Sequence, residues 1–181
     1  MEFYQEETNK LRRMIVWLVD IIVVISLAWF VVYGFGTQIR ITGQSMTPEL
    51  RSEDVVLMNR LSYDLGSPKR FDVVVFERED KKPNVKRVIG LPGDTIDIED
   101  GKIYINGSAE PLQEDYLKEE WTVATGPYTF EVPEGSYFMM GDNRNDSWDA
   151  RYWSNTYVTK DKILGKALFT YWPFAHFGKL E

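Results

Sequence analysis

Hydrophobic residues follow two regimes along this chain. The first is one nearly unbroken run, MIVWLVDIIVVISLAWFVVYGF, from Met14 to Phe35. Its 22 residues make roughly 33 Å of helix, enough to cross the hydrocarbon core of a bilayer. The run is apolar on nearly every face, which suits lipid better than a globular core. Asp20 lies in its first third, where a carboxylate can lean toward the headgroups. The run is long for the apolar region of a cleaved leader, and its end lacks a small-x-small cleavage site. Lys10, Arg12 and Arg13 precede it, and Arg40 is the only base soon after. The positive-inside rule then predicts residues 1–13 in the cytoplasm, 14–35 as a transmembrane anchor and 36–181 as an extracytoplasmic domain. The C-terminal LFTYWPFAHFG is apolar but short and broken by a proline, so no second span is expected.

The second regime begins at Thr37, where short β-rich runs alternate with turn signals. Val55–Met58, Phe71–Phe76, Val85–Leu91, Thr95–Ile98, Lys102–Ile105, Tyr137–Met140 and Ala167–Tyr171 read as strands. EDGK at Glu99–Lys102 and NGS at Asn106–Ser108 read as tight turns. The spacing predicts a mostly β domain of coiled antiparallel sheets, barrel-like in character. Residues 108–135 are more polar and irregular and read as an inserted lobe or long loop.

Composition narrows the chemistry. The net charge is −7, which argues against nucleic acid as a partner, because phosphate binding needs a basic face. With no cysteine there is no disulfide framework, thiol nucleophile or zinc-thiolate site. His176 is the only histidine and sits in an aromatic, turn-like tail, where a structural role is expected rather than a place in a Ser-His-Asp triad. A zinc site lacks ligands. DNRNDSWD, from Asp142 to Asp149, has Arg144 at its third position and no glycine at its sixth, so the calcium-loop pattern fails. No metal and no cofactor are expected.

A serine with a lysine base remains. A lysine takes a proton only when neutral, so near neutral pH its pKa must fall from about 10.4 by about three units, roughly 4 kcal/mol. Burial against apolar surface supplies such a shift. Lys86 stands on an apolar strand, NVKRVIGLPGD, where Lys86 and Arg87 point to opposite faces. By itself this stretch also fits an ordinary solvated lysine on an edge strand.

Four stretches, in order, resemble the bacterial type I signal peptidases (leader peptidases), in the short single-anchor form common in Gram-positive bacteria. GQSMTP (Gly43–Pro48) resembles the nucleophile box, and RFDVVVF (Arg70–Phe76) the strand box after it. VKRVIGLPGD (Val85–Asp94) resembles the general-base box, and GDNRNDSWDAR (Gly141–Arg151) the closing box. The ordered set is far more specific than any one stretch. The resemblance implies Ser45 as nucleophile and Lys86 as general base. It implies Ser147 hydrogen-bonded to the lysine amine, an Asp149–Arg151 ion pair behind the dyad, and Asp142 paired with Arg87. The Ser45 backbone N–H becomes one oxyanion donor, a type of contact worth about 3 kcal/mol. Gly43 stands where some members carry a serine that completes the oxyanion hole, so a backbone N–H or a water is expected as second donor. Ala150 departs from the usual serine at a position with no assigned role.

The implied function is removal of N-terminal signal peptides from exported preproteins after an Ala-x-Ala-like site, at the plasma membrane. Exported preproteins and membrane lipid are the expected partners; the sequence leaves oligomeric state open. Gly43 would let an extended substrate come close, Pro48 would fix a turn, and Met46 would rest at the lipid interface. A Ser-Lys protease with a narrow client, such as a pilin or conjugation precursor, shares this pattern. A non-catalytic assembly factor should lack the serine or the lysine. A self-cleaving repressor would carry DNA-binding helices where this chain has its apolar run.

Overall fold

The computed structural model describes residues 2–35, 37–79, 81–123 and 126–180. The apolar run is the greater part of one helix, α1 (Glu2–Phe35). Within it Lys10–Tyr33 is long and apolar enough to cross a membrane, and none of its most apolar window is buried inside the protein.

The strands in chain order are β1 (Thr37–Arg40), β2 (Val55–Asn59), β3 (Val73–Glu77), β4 (Pro83–Gly90), β5 (Thr95–Glu99), β6 (Lys102–Ile105), β7 (Tyr128–Glu131), β8 (Ser136–Met140), β9 (Tyr157–Thr159), β10 (Ile163–Trp172) and β11 (Gly178–Lys179). A one-turn helix, α2 (Leu61–Asp64), follows β2. The large sheet runs β1-β2-β10-β3-β4-β8-β9, with β11 added beside β10, and the small sheet runs β6-β5-β7. Every pairing is antiparallel. The large sheet curls into a half-barrel, as the mostly β pattern implies.

The EDGK turn joins β5 to β6 with Glu99 opposite Lys102. Asp100 and Gly101 both take positive φ, 49° and 72°, the geometry of a tight hairpin turn. The strand expected from Phe71 starts at Val73 instead, because Phe71 takes φ 73° and so cannot enter the ladder. β7 falls within the stretch expected to be irregular and completes the small sheet by pairing with β5. Its four residues are too few to show a period among the turn signals around them.

Two apolar clusters hold the domain. The larger joins Phe76, Val88, Ile89, Phe138 and Met139 of the large sheet to Ile96, Ile98 and Ile103 of the small one. The smaller packs Ile41, Met46 and Leu50 against Val56, Val73 and Ala167. Met46 is only 2% exposed, so it does not rest at a lipid interface. It is a core residue that ties the segment after β1 down onto the sheet. Burying a side chain of this size is worth about 1.5–3 kcal/mol.

Candidate active site

Ser45 lies on the turn that leaves β1. The turn is closed at its base by Ile41 N–H to Asp54 O (2.8 Å) and Glu53 N–H to Ile41 O (2.9 Å). It is tightened by Thr47 N–H to Gln44 O (3.1 Å) and Leu50 N–H to Met46 O (2.8 Å). With Met46 and Leu50 buried on either side, the half-buried Ser45 is held over the sheet.

Lys86 comes from β4, between β3 and β8, and is 5% exposed. Its Nζ lies 2.5 Å from Ser45 Oγ and donates to Val85 O at 3.3 Å. Burial lowers its pKa to about 8, against the pull of the Asp149 and Asp142 carboxylates and with help from Arg78 and Arg151. Such a lysine is partly neutral at neutral pH and can accept a proton.

Arg87 turns to the other face and is fully buried. Its Nε donates to Asp142 Oδ1 at 2.8 Å and its Nη2 to Asp142 Oδ2 at 2.5 Å. The Tyr116 ring lies 3.9 Å from its guanidinium carbon. Arg151 makes a similar fork onto Asp149, at 2.7 and 2.8 Å. Asp149 Oδ2 also accepts the Gly141 N–H at 3.0 Å. This ion pair therefore fixes the strand end from which the 141–151 loop departs.

Ser147 is buried beside Gly141, but the hydrogen bond expected between Ser147 and Lys86 is not formed. Ser147 Oγ is buried and has no hydrogen-bond partner among the described residues. A side chain on Gly141 would collide with both Ser147 Oγ and the Ser45 carbonyl. The two loops thus meet at a residue that has to be glycine. Gly43 is exposed, with φ 93° and open space on the side where a Cβ would stand.

Asn143 has no role in the sequence reading, yet it is the main link between the loops. Its N–H donates to Ser45 O (3.1 Å), and its Nδ2 donates to Gln44 O (3.1 Å) and Thr47 Oγ1 (3.0 Å). Its place inside the closing stretch was the available signal. Arg144 is also buried there. His176 is away from this site, with Nδ1 2.8 Å from Asp54 Oδ1 and Nε2 3.0 Å from Arg51 Nη1. Among the described residues no group of three or more His, Cys, Asp or Glu side chains is arranged to hold a metal.

A cleft of about 100 Å³ ends at Ser45 and Lys86. Its walls are Ile39–Thr42 and Pro83–Lys86. β1 is the end strand of its sheet. β8 pairs with β4 only from Arg87 onward, so among the described residues Pro83–Lys86 has a strand on one side only. The cleft is therefore bounded by two open strand edges, a shape suited to an extended peptide.

The comparison with known proteins agrees in kind. The family described as "Signal peptidase, peptidase S26" matches residues 14–172. The chain belongs to this family. It is a hydrolase, a serine endopeptidase that removes signal peptides from exported preproteins. It is 38% identical to signal peptidase I of Bacillus caldolyticus, over 95% of this chain and 97% of that one. It is 32% identical to signal peptidase IB of Staphylococcus aureus strain N315, over 92% and 93% of the two chains. A solved signal peptidase I from Enterococcus faecalis V583 is 36% identical, with a TM-score of 0.46 over 55% of this chain and 95% of that one.

Proposed function

We propose that Ser45 and Lys86 are the catalytic dyad of this peptidase. The observation that carries the reading is the 2.5 Å contact between Lys86 Nζ and Ser45 Oγ, made by a lysine whose pKa burial lowers to about 8. Serine is a weak nucleophile until a neighbour takes its proton, and a neutral amine at this distance takes it. Ser45 Oγ attacks the scissile carbonyl, and the Ser45 N–H stabilises the charge that develops on its oxygen. The protonated Lys86 then gives its proton to the leaving amine of the mature protein. Water, deprotonated by the same amine, hydrolyses the acyl-enzyme. Ser147 is assigned to support of the amine, on the ground that its buried hydroxyl, packed beside Gly141, has no other hydrogen-bond partner among the described residues. Arg87–Asp142 and Asp149–Arg151 hold the frame.

The residues before the cut lie extended in the cleft between Ile39–Thr42 and Pro83–Lys86, adding a strand whose backbone bonds demand little of sequence. The cleft is small, about 100 Å³, which suits the small side chains one and three residues before the cut that the family resemblance implies. Met14–Phe35 anchors the chain in the plasma membrane, with residues 1–13 in the cytoplasm and 36–181 outside. The substrate's leader lies in the same bilayer, so the anchor raises effective concentration.

The test is cleavage of a preprotein with an Ala-x-Ala site in detergent by the wild type and by Ser45→Ala. Cutting after the second alanine by the wild type alone is the expected result. Equal cutting by the variant removes Ser45 as nucleophile. Protease shaving of intact cells stripped of their wall should digest the domain after Phe35, and full protection would reverse the orientation.

A further inference from the structure

Residues 111–123 belong to none of the four motif stretches and form no helix or strand. They nevertheless touch the loop of Ser45, the neighbour of Lys86 and the closing loop. Glu114 receives two bonds from Arg144, Nη1 to Oε2 at 2.7 Å and Nη2 to Oε1 at 2.5 Å. Tyr116 donates its hydroxyl hydrogen to Glu114 Oε1 at 2.5 Å, accepts from Arg144 Nη2 at 3.1 Å, and lays its ring 3.9 Å from the Arg87 guanidinium carbon. Lys118 Nζ reaches Glu49 Oε2, four residues past Ser45, at 2.7 Å. The Asn145 amide accepts from Thr122 N–H (2.8 Å) and Val123 N–H (3.1 Å) and donates to Glu120 O (2.9 Å).

The Glu114–Arg144 pair is not a solvated surface contact, because the two side chains are 11% and 1% exposed. From Arg144 the path to the reacting atoms is short. Arg144 Nε donates to Gly141 O at 3.1 Å. Gly141 packs against both the Ser45 carbonyl and Ser147, with no room for a Cβ. This path joins one buried guanidinium to the contact between the closing loop and the turn of Ser45.

We infer that residues 111–123 form a positioning strap for the dyad, with Glu114 as its principal positioning residue and Lys118 as its hold on the Ser45 turn. The inference rests on the Ser45–Lys86 reading. It assigns a catalytic dependence to a segment that composition alone marks as loop. A misplacement near 1 Å can cost about a hundredfold in rate, so a buried ion pair that orients the closing loop can matter to turnover.

The sign of a pH shift separates this role from plain scaffolding. Removing a negative charge acts through space to lower the pKa of Lys86. Loosening the loops admits water around Lys86 and raises it. Glu114→Gln is therefore expected to lower kcat for the Ala-x-Ala preprotein by roughly tenfold to a hundredfold, with KM nearly unchanged. Its pH–rate limb should move up, so that raising the pH restores part of the rate. Wild-type kcat, or a lower kcat with an unshifted or lowered limb, overturns the strap.

Lys118→Ala is the second variant, because its side chain is 52% exposed and reaches the nearly buried Glu49 from outside; Lys118→Arg, which keeps the charge on Glu49, is run beside it and is expected to keep the wild-type kcat. Severalfold lower kcat with an unchanged unfolding midpoint supports the strap, and an unchanged kcat overturns the Lys118 hold. Ser45→Ala is run alongside. If it still cleaves, the dyad reading has failed. If it is inactive while both strap variants match the wild type, the strap alone has failed.

Discussion

Lys86 and Arg87 are consecutive on β4, yet they serve opposite electrostatic ends. Lys86 meets Ser45 Oγ at 2.5 Å, without a carboxylate bonded to its amine. Arg87 is locked in a two-pronged bond to Asp142 on the other face. Alternation along the strand produces this separation. A carboxylate bonded to Lys86 would hold the amine charged, and the fork on Arg87 keeps Asp142 occupied one residue away.

The first prediction follows from that separation. In the proposed dyad Lys86 must be neutral to take the Ser45 proton, and burial brings its pKa to about 8. kcat/KM should therefore rise through pH 8 and level off above it. Preprotein cleavage measured from pH 6 to 10 checks this. A limb at the ordinary lysine value, about 10.4, would mean that the amine is not desolvated in the working enzyme.

The second prediction concerns stability. Lys86 has a depressed pKa in the folded state, so the unfolded chain binds more protons between pH 8 and 10.5. Stability from this group therefore rises with pH across that window and is lowest below it. The cost at neutral pH is about 3 kcal/mol, because burial takes the amine from the ordinary lysine value down to about 8. Lys86→Met should abolish cleavage and yet raise the denaturation midpoint at pH 7. The gain should fall to a few tenths of a kcal/mol by pH 10.5. Denaturant melts of both proteins at the two pH values decide it, and a Met variant less stable at pH 7 contradicts the desolvation argument.

Much of this was legible in the sequence, for definable reasons. Val55–Asn59 and Lys102–Ile105 show because alternation and turn residues act locally. With one histidine and no cysteine, elimination leaves a serine with a lysine base as the remaining chemistry, and the ordered set of four motif stretches then points to Ser45 and Lys86. The burial of Met46 could not be read, because the residue stands alone in a turn with no period around it. Glu114 was equally hidden. A carboxylate in a polar, aperiodic stretch looks like a solvated loop until Arg144, thirty residues on, is seen beneath it. Long-range pairing of buried charges leaves no periodic trace in a single sequence.

The third prediction uses the Arg87–Asp142 pair, whose side chains are 0% and 3% exposed. Asp142→Ala removes the two-pronged carboxylate contact from a buried guanidinium and should cost about 3–5 kcal/mol of stability. Arg87→Met in the same chain should recover much of that loss, because it removes the buried charge. Denaturant melts of the wild type, both single variants and the double variant measure the coupling. A coupling near zero would mean that the pair does not hold the frame.

The last prediction sets two glycines against each other. Gly141 has no free space: a Cβ there runs into the Ser45 carbonyl and Ser147 Oγ. Gly141→Ala must push the turn of Ser45 away from Lys86, and roughly a hundredfold loss in kcat is expected for a shift near 1 Å. Gly43 has the opposite constraint, with open space but φ 93°. Gly43→Ala should cost about 1–2 kcal/mol in backbone strain. On the proposed reading, in which an extended substrate comes close to Gly43, its methyl group would meet that substrate, so KM should rise while kcat changes less. Steady-state cleavage of the Ala-x-Ala preprotein by both variants separates the effects. The expected split places the Gly141 effect on the chemistry of the dyad and the Gly43 effect on binding. A reversed split would mean that the substrate does not pass over Gly43.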